Sequence, residues 1–500
     1  MAEEIELKLS LPAAAQRRLL RLPLLKRTDS RHTQQLVNIY YDTPDLSLHR
    51  RGIALRLRKQ GRIWLQTVKC AGSSAAGLST RPEWEVPYAG HFDFAAIDDP
   101  LVRRQLERPS LRKGLLPLFE TNFRRTTWRF EPTSGSVFHL MLDRGWVAAA
   151  GRREAISELE LELASGDVDE LFKLAQALAL RLPLMPQILS KAERGYRLYR
   201  NVRLSPCKAP AVPLAADCPP SSAFRKIALS CLEHQQCNLD GAISSDDPEF
   251  IHQMRVATRR LRAALRLFAP HLPPGLAEQL LPPLRQSMER LGRVRDLDVL
   301  LAEIAMPVMR ALPDEPRLAA LVGAVTDRQY AAREAALRYL QSAAHGRLML
   351  QAAALLAGPA EIQAQQTLAV FAEGRLKRLR KRVLVLAEAA VADDPVSLHR
   401  LRIGIKRLRY ALEFFAPLAS GRALQRLLLA LGELQDKLGQ LNDLANAGLL
   451  LMHCAGDDPR LREAVALVGG WHAARHRELL DSLPERIRRL RRLRLPSLGG

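Results

Sequence analysis

A proline-rich stretch at residues 204–220 separates two incompatible hydrophobic periodicities, and that division constrains the fold most. Pro206, Pro210, Pro213, Pro219 and Pro220 fall within it, with small residues between them. Proline fixes its own backbone and removes a hydrogen-bond donor, so the stretch reads as a linker. Before it, apolar and charged residues alternate with period two. Ile5, Leu7 and Leu9 alternate with Glu4, Glu6 and Lys8; Leu55 and Leu57 with Arg56 and Arg58; Leu159, Leu161 and Leu163 with Glu158, Glu160 and Glu162. Each segment reads as a strand with one apolar and one charged face. Two helices are expected there, near Pro12–Leu22 and Val168–Leu180. After the stretch, Leu, Ala and Arg recur at three- and four-residue spacing, which predicts a helical bundle. The expected layout is a strand-rich domain over 1–203, a linker over 204–220 and an all-α domain over 221–495. A chain of 500 residues is too long for one core, in agreement with that division.

The helical part repeats itself. His252-x-x-Arg255-Val256-x-x-Arg259-Arg260-Leu261-Arg262 matches His399-x-x-Arg402-Ile403-x-x-Lys406-Arg407-Leu408-Arg409 at an offset of 147 residues. Leu291-Gly292 and Asp296-Leu297 match Leu438-Gly439 and Asp443-Leu444 at the same offset. Two motifs in one register imply two similar helical halves.

Charge narrows the partners. Lys plus Arg number 75 against 53 Asp plus Glu, a formal net charge of +22. That points to anions: nucleic acid, phosphates or an acidic membrane. Aromatics are only 5% and no RNP-like or zinc-finger pattern occurs, so a specific nucleic-acid reader is disfavoured. None of the six cysteines forms a Cys-x-x-Cys pair, which argues against zinc and a disulfide framework. The acidic N-terminus lacks a signal-peptide core and no apolar run is long enough to span a bilayer. A cytoplasmic protein with no membrane partner is expected.

The charged strand faces carry both signs. Glu4, Glu6, Glu83, Glu85, Asp143 and the 158/160/162 carboxylates share strand-like segments with Lys8, Arg56, Arg58, Lys69, Arg81, Arg124 and Arg125. Both signs on inward faces suit a closed antiparallel barrel with a polar lumen and helices covering its apolar exterior. Basic residues bind phosphate oxygens through charge-assisted bonds; carboxylates hold hard divalent cations. Together they suggest a site for a metal–polyphosphate complex. No Walker A sequence is present, so it is not a P-loop site.

Glu4-Ile5-Glu6-Leu7-Lys8 resembles the Glu-x-Glu-x-Lys signature of the CYTH domain, the triphosphate tunnel metalloenzyme fold. Tyr41-Asp42-Thr43-Pro44, Ala54–Arg58, Thr67-Val68-Lys69, Arg81–Glu85, Asp143, Glu158–Glu162 and Ser190–Gly195 follow in family order. The resemblance covers about 1–200. It implies an eight-stranded tunnel that hydrolyses the terminal phosphoanhydride of a triphosphate with Mg²⁺ or Mn²⁺. Catalytic roles are implied for Glu4, Glu6, Lys8 and Glu160. Triphosphate contacts are implied for Lys8, Arg56, Arg58, Lys69, Arg81, Arg125 and Lys191. Metal-side roles are implied for Glu4, Glu6, Glu83, Glu85, Asp143, Glu160 and Glu162. Register stays open between Glu158 and Glu162, between Arg124 and Arg125, and between Glu83 and Glu85.

At 100° per residue, His252, Arg255, Arg259, Arg262 and Arg266 share a sector of about 80° on one helix, opposite Ala257, Leu261, Leu265 and Phe268. His399, Arg402, Lys406 and Arg409 repeat the stripe, whereas Arg260 and Arg407 fall off it toward solvent. Like charges along a helix repel, so an anionic partner is a reasonable cause. These motifs resemble the CHAD domain over about 221–495. That resemblance implies two pseudo-symmetric four-helix bundles whose residues His252, Arg255, Arg259, Arg262, His399, Arg402, Lys406 and Arg409 bind inorganic polyphosphate. Arg290 and Lys437 are possible contributors, and Asp296 and Asp443 read as caps or ion-pair partners. The expectation is an α+β multidomain inorganic triphosphatase that cleaves tripolyphosphate and associates with polyphosphate granules. The alternatives are a non-catalytic polyphosphate-binding protein and a tunnel acting on ATP or thiamine triphosphate. Oligomeric state is not readable from the sequence.

Overall fold

The structure, a computed structural model, describes residues 2–498 except 27, 29, 76, 132–134, 359–365, 393 and 420; for 2–4 and 73–75 it describes the backbone alone. It divides into two compact units. One is Met1–Ser205 with Gln341–Gly358, the other Pro206–Leu340 with Pro359–Gly500.

The first unit is built on ten strands: β1 (Ala2–Ser10), β2 (Ser30–Asp42), β3 (Ile53–Gln60), β4 (Ile63–Cys70), β5 (Ser73–Ala75), β6 (Leu78–Pro87), β7 (Leu116–Phe130), β8 (Val137–Ala149), β9 (Arg152–Ser165) and β10 (Met185–Pro186). Eight close into an antiparallel barrel in the order β1-β9-β8-β7-β2-β3-β4-β6, with β6 returning to β1. β1 completes the closure by using both edges. Ala2–Leu7 pairs with β6 and Ile5–Ser10 with β9. Closure leaves no free barrel edge, and the period-two pattern then separates lumen from exterior. The β8–β9 hairpin turns through Ala150 and Gly151, both at positive φ (49° and 76°), which suits the right-handed twist of the flanking strands.

The apolar faces point outward and are covered. Leu7, Leu9, Leu159 and Leu161 are fully buried, as are Leu171, Phe172 and Ala175 of the Val168–Ala179 helix, which packs on β9. The expected Pro12–Leu22 helix is shorter, Ala13–Leu19, followed by a 3-10 turn at Pro23–Lys26. A Lys191–Arg200 helix, N-capped by Ser190, sits on β7 and β8. A Cβ on Gly195 would lie 2.1 Å from the Phe119 ring, so the glycine sets how closely that helix seats.

The second unit is helical, and its elements repeat with the offset found in the sequence. Pro248–Leu267 matches Pro395–Phe414, and Ala269–His271 matches Ala416–Leu418. Asp247 and Asp394 cap the two basic helices, each followed by proline. Phe224, Phe268, Phe371 and Phe415 form an aromatic cluster drawn from both halves, with Phe268 5.1 Å from Phe371 and 5.8 Å from Phe415. The residues stand in two offset-related pairs.

Two expectations change. The all-α domain does not run unbroken over 221–495: the Ala343–Ala357 helix packs with the first unit, against the Val168–Ala179 helix and β10. A Cβ on Gly346 there would meet the Leu184 carbonyl at 1.9 Å. The 204–220 stretch is also no free spacer. Its Cys218 and Ala216 carbonyls accept from Leu368 and Ala369 N–H at 2.9 and 3.0 Å, and Cys207 N–H donates to Asn238 Oδ1 at 3.0 Å.

Candidate functional site

Strand register brings the charged residues into one lumen. Glu6 lies opposite Glu162, Lys8 opposite Glu160, Tyr40 opposite Arg56, Lys69 opposite Glu83, and Arg125 opposite Asp143. A cavity of about 480 Å³ is lined by Glu6, Lys8, Arg56, Arg58, Lys69, Arg81, Glu83, Glu85, Arg125, Glu160, Glu162 and Lys191, among others. These are most of the residues the sequence singled out. The side chain of Glu4 lies outside the described residues. Register resolves the open choices as follows. Arg125 lines the lumen whereas Arg124 is exposed; Glu83 and Glu85 both line it; Glu160 and Glu162 face it.

Each lumen cation has an acidic neighbour. Lys8 Nζ donates to Glu6 Oε1 at 2.6 Å, and Ser79 Oγ donates to the same oxygen at 3.1 Å. Arg56 reaches Glu83 at 3.2 Å, Lys69 reaches Glu83 at 2.8 Å, and Arg58 reaches Glu85 at 3.5 Å. Arg125 grips Asp143 with two bonds of 2.8 and 2.6 Å and also contacts Glu160. Such pairs hold long basic side chains extended before a ligand arrives.

Asp143 is expected on the metal side. It is fully buried and forms a cluster with Glu158 and Glu160. Lys191 Nζ occupies that cluster, 2.7 Å from Asp143, 2.9 Å from Glu160 and in contact with Glu158. The ammonium and the carboxylates hold one another in place, and the three carboxylates also lie close enough together to share a cation. Burial alone would lower the Lys191 ammonium, but Asp143, Glu158 and Glu160 outweigh it and raise its pKa. Burial likewise opposes ionisation of Glu160; Lys191, Arg125 and Lys8 reverse this and hold it well below the carboxylate range. Arg58 goes the other way, lowered to about 10 by burial and by neighbouring Arg56 and Arg125. The remaining lumen carboxylates, with Glu6 and Glu162 directly across a strand pair, supply the hard oxygen donors that a divalent cation takes.

Sequence reasoning gave no role to several residues that support the lumen or reach it. Asn38 is fully buried and accepts from Arg58 Nε at 3.0 Å. Asp42 anchors the following loop, accepting from Thr43, Leu48 and His49 N–H at 2.7, 2.8 and 2.9 Å and from Tyr196 at 3.2 Å. That loop brings His49 to the lumen, 3.2 Å from Glu193. Polar residues at alternate positions of β2 were the available signal.

In the helical unit the basic helices line a cavity of about 880 Å³ with His252, Arg255, Arg259, His399, Arg402 and Lys406. A Cβ on Gly292 would lie 2.8 Å from Arg255 Nη1, so the Leu-Gly motif clears space for that guanidinium. Arg295, Asp296 and Asp443 join the lining. Asp296 lies within a helix and faces Arg255 at 3.7 Å, so it is an ion-pair partner and not a cap. His252 is held below the usual imidazole value by burial and Arg295; Lys406 is lowered to about 8 by burial, Arg402 and Arg259. Four expectations shift. Arg409 is tied to Glu413 at 2.8 Å and lines neither this cavity nor the next. Arg290 stacks on Tyr339 at 4.5 Å. Arg260 is half-buried over Phe414 and does not face solvent. Arg262 lines a neighbouring cavity with Arg266. No helix among the described residues is long and apolar enough to cross a membrane.

Comparison with known proteins agrees with this geometry. Residues 2–196 match the CYTH domain and residues 226–451 the CHAD domain. An inorganic triphosphatase of Haemophilus influenzae is 31% identical over 212 residues, 40% of this chain; the match spans 55% of that relative's length. An uncharacterized protein of Mycobacterium tuberculosis is 28% identical over 420 residues, covering 77% of this chain and 76% of the relative. The crystal structure of the CHAD domain from the plant Ricinus communis is 37% identical with a TM-score of 0.53, covering 59% of this chain and 99% of that one.

Proposed function

The chain carries a CYTH domain followed by a CHAD domain, and from that premise we propose that it is a metal-dependent triphosphatase. It cleaves inorganic tripolyphosphate to pyrophosphate and phosphate in the barrel, while the helical unit binds inorganic polyphosphate. The observation that carries the reading is the lumen itself, where cations for phosphate and carboxylates for a hard cation face one closed space.

Lys8, Arg56, Arg58, Lys69, Arg81, Arg125 and Lys191 would bind the phosphate oxygens. Those nearest the bridging oxygen stabilise charge as pyrophosphate leaves. A Mg²⁺ or Mn²⁺ ion on Glu6, Glu83, Glu85 and Glu162, with Glu4 beside them in sequence, would neutralise phosphate charge and acidify bound water. Asp143, Glu158 and Glu160 fix Lys191 and Arg125 at the angle the substrate needs. Glu160, held ionised by Lys191, Arg125 and Lys8 against its burial, would orient the attacking water. Glu6 and Glu162 face the same space and would share that role. A cation held by Glu6 would leave Lys8, now paired with that carboxylate, free to bind phosphate.

The test is phosphate release from tripolyphosphate with Mg²⁺ or Mn²⁺. ATP, thiamine triphosphate, pyrophosphate and long-chain polyphosphate run in parallel, with Glu4→Gln/Glu6→Gln as control. Metal-dependent cleavage lost in the double variant supports the reading. Turnover no higher than the variant's, with polyphosphate still retained, would make the protein a polyphosphate binder. Preference for ATP or thiamine triphosphate would move the substrate to the organic triphosphates.

A further inference from the structure

Further along the same two basic helices lies a second cavity, of about 640 Å³. Its cations are Arg259, Arg262, Arg266, Lys406, Arg407 and three arginines of the Leu368–Glu388 helix, Arg375, Arg378 and Arg382. Among the described residues no carboxylate lines it, in contrast to the neighbouring cavity with its Asp296, Asp443 and Glu303. Much of the remaining wall is apolar: Leu267, Leu379, Ile403 and Phe414. Such a wall gives phosphate no donor and suits an apolar or aromatic part of a ligand.

The duplication sharpens the point. At the 147-residue offset, Tyr410 and Phe414 correspond to Ala263 and Leu267, and all four line this cavity. Arg375, Arg378 and Arg382 correspond to Ala228, Cys231 and Gln235. The two halves have therefore diverged here: one helix carries small and aliphatic side chains, its counterpart carries rings, and three cations occur in one half only. The half-buried Tyr410 ring lies 6.4 Å from the buried Phe414 ring at 21°, so Phe414 backs Tyr410 from within the core. Burial and neighbouring arginines also hold Arg262, Arg375 and Arg407 below the ordinary guanidinium value, a cost that an anion relieves.

We propose that this cavity binds a nucleoside polyphosphate, its phosphates on the arginines and its base against Tyr410 and the apolar wall beside it. Its size suits such a ligand. Arg259, Lys406 and Tyr410 line both cavities, so nucleotide and polyphosphate meet at a shared wall.

The experiment is photo-crosslinking of the full chain with azido-ATP, followed by peptide mapping, with retention on long-chain polyphosphate measured alongside. Arg378 and Arg382 are exposed, so Arg378→Gln/Arg382→Gln leaves the fold intact. Expected is label on the 368–388 or 395–414 peptides, reduced about tenfold or more in the double variant, with polyphosphate retention unchanged. Label confined to barrel peptides, or unaffected by the variant, would overturn the proposal. So would an equal loss of polyphosphate retention, which would make the cavity a continuation of the polyphosphate track.

Discussion

Arg56 and Arg58 stand two residues apart on β3, both toward the lumen, yet their surroundings differ. Arg56 is raised despite burial, by Tyr40 and Glu83 among others, whereas Arg58 is lowered by burial and two guanidinium neighbours. Both would stabilise transition-state charge, so Arg56→Ala or Arg58→Ala should reduce kcat on the order of 10²–10³-fold, read from phosphate release. Near-normal turnover in both would defeat the tunnel assignment. Lys406 carries a different prediction. It faces Arg402, Arg259, Arg255 and Asp443, with its ammonium held at about 8 against about 10.4 in an unfolded chain. Anion binding by the helical unit should therefore weaken as pH rises through 8, and Lys406→Met should remove that step in a polyphosphate titration. The sign for stability is opposite. Between those two values the unfolded state holds the extra proton, so this group favours the native state more as pH rises. Residue types and spacings made both charged clusters legible in the sequence: both signs on alternate strand positions for one, a repeated basic helix stripe for the other. The pairing of Asp143 with Lys191 was not legible, since Lys191 approaches it from a helix distant in the chain.

Elements carry the site through their seating. The Lys191–Arg200 helix delivers Lys191 to the lumen only because Gly195 lets its backbone reach Phe119. Gly195→Ala should cost about 1–3 kcal/mol by overpacking and lower kcat by displacing Lys191. A lowered Tm with unchanged kcat would show that the helix tolerates the shift without moving the ammonium. Strands were readable from their alternation and the basic helices from the repeated stripe. The close approach at Gly195 was not, because a glycine inside a helix reads only as a weak helix former.

For the whole molecule, the chain order and the packing order disagree. The Ala343–Ala357 helix follows the first half of the helical duplication in sequence but buries Leu348, Leu350 and Leu356 within the barrel unit. A 1–205 fragment lacks that cover. Its unfolding midpoint should fall roughly 5 °C or more below that of the barrel transition in the full chain. Equal midpoints by calorimetry would show that the helix adds no stability there. What the sequence determined by itself is local: strand or helix from the period, lumen or stripe from the charge, and duplication from the shared offset. Each of these is set by neighbours within a few residues or by repetition of the same pattern. Which carboxylates face a cavity and which lie behind it, where the 341–358 segment packs, and which arginines meet Tyr410 and Phe414 were decided by tertiary structure alone. Those facts depend on contacts between residues far apart in the chain, and a single sequence records such residues without recording that they meet.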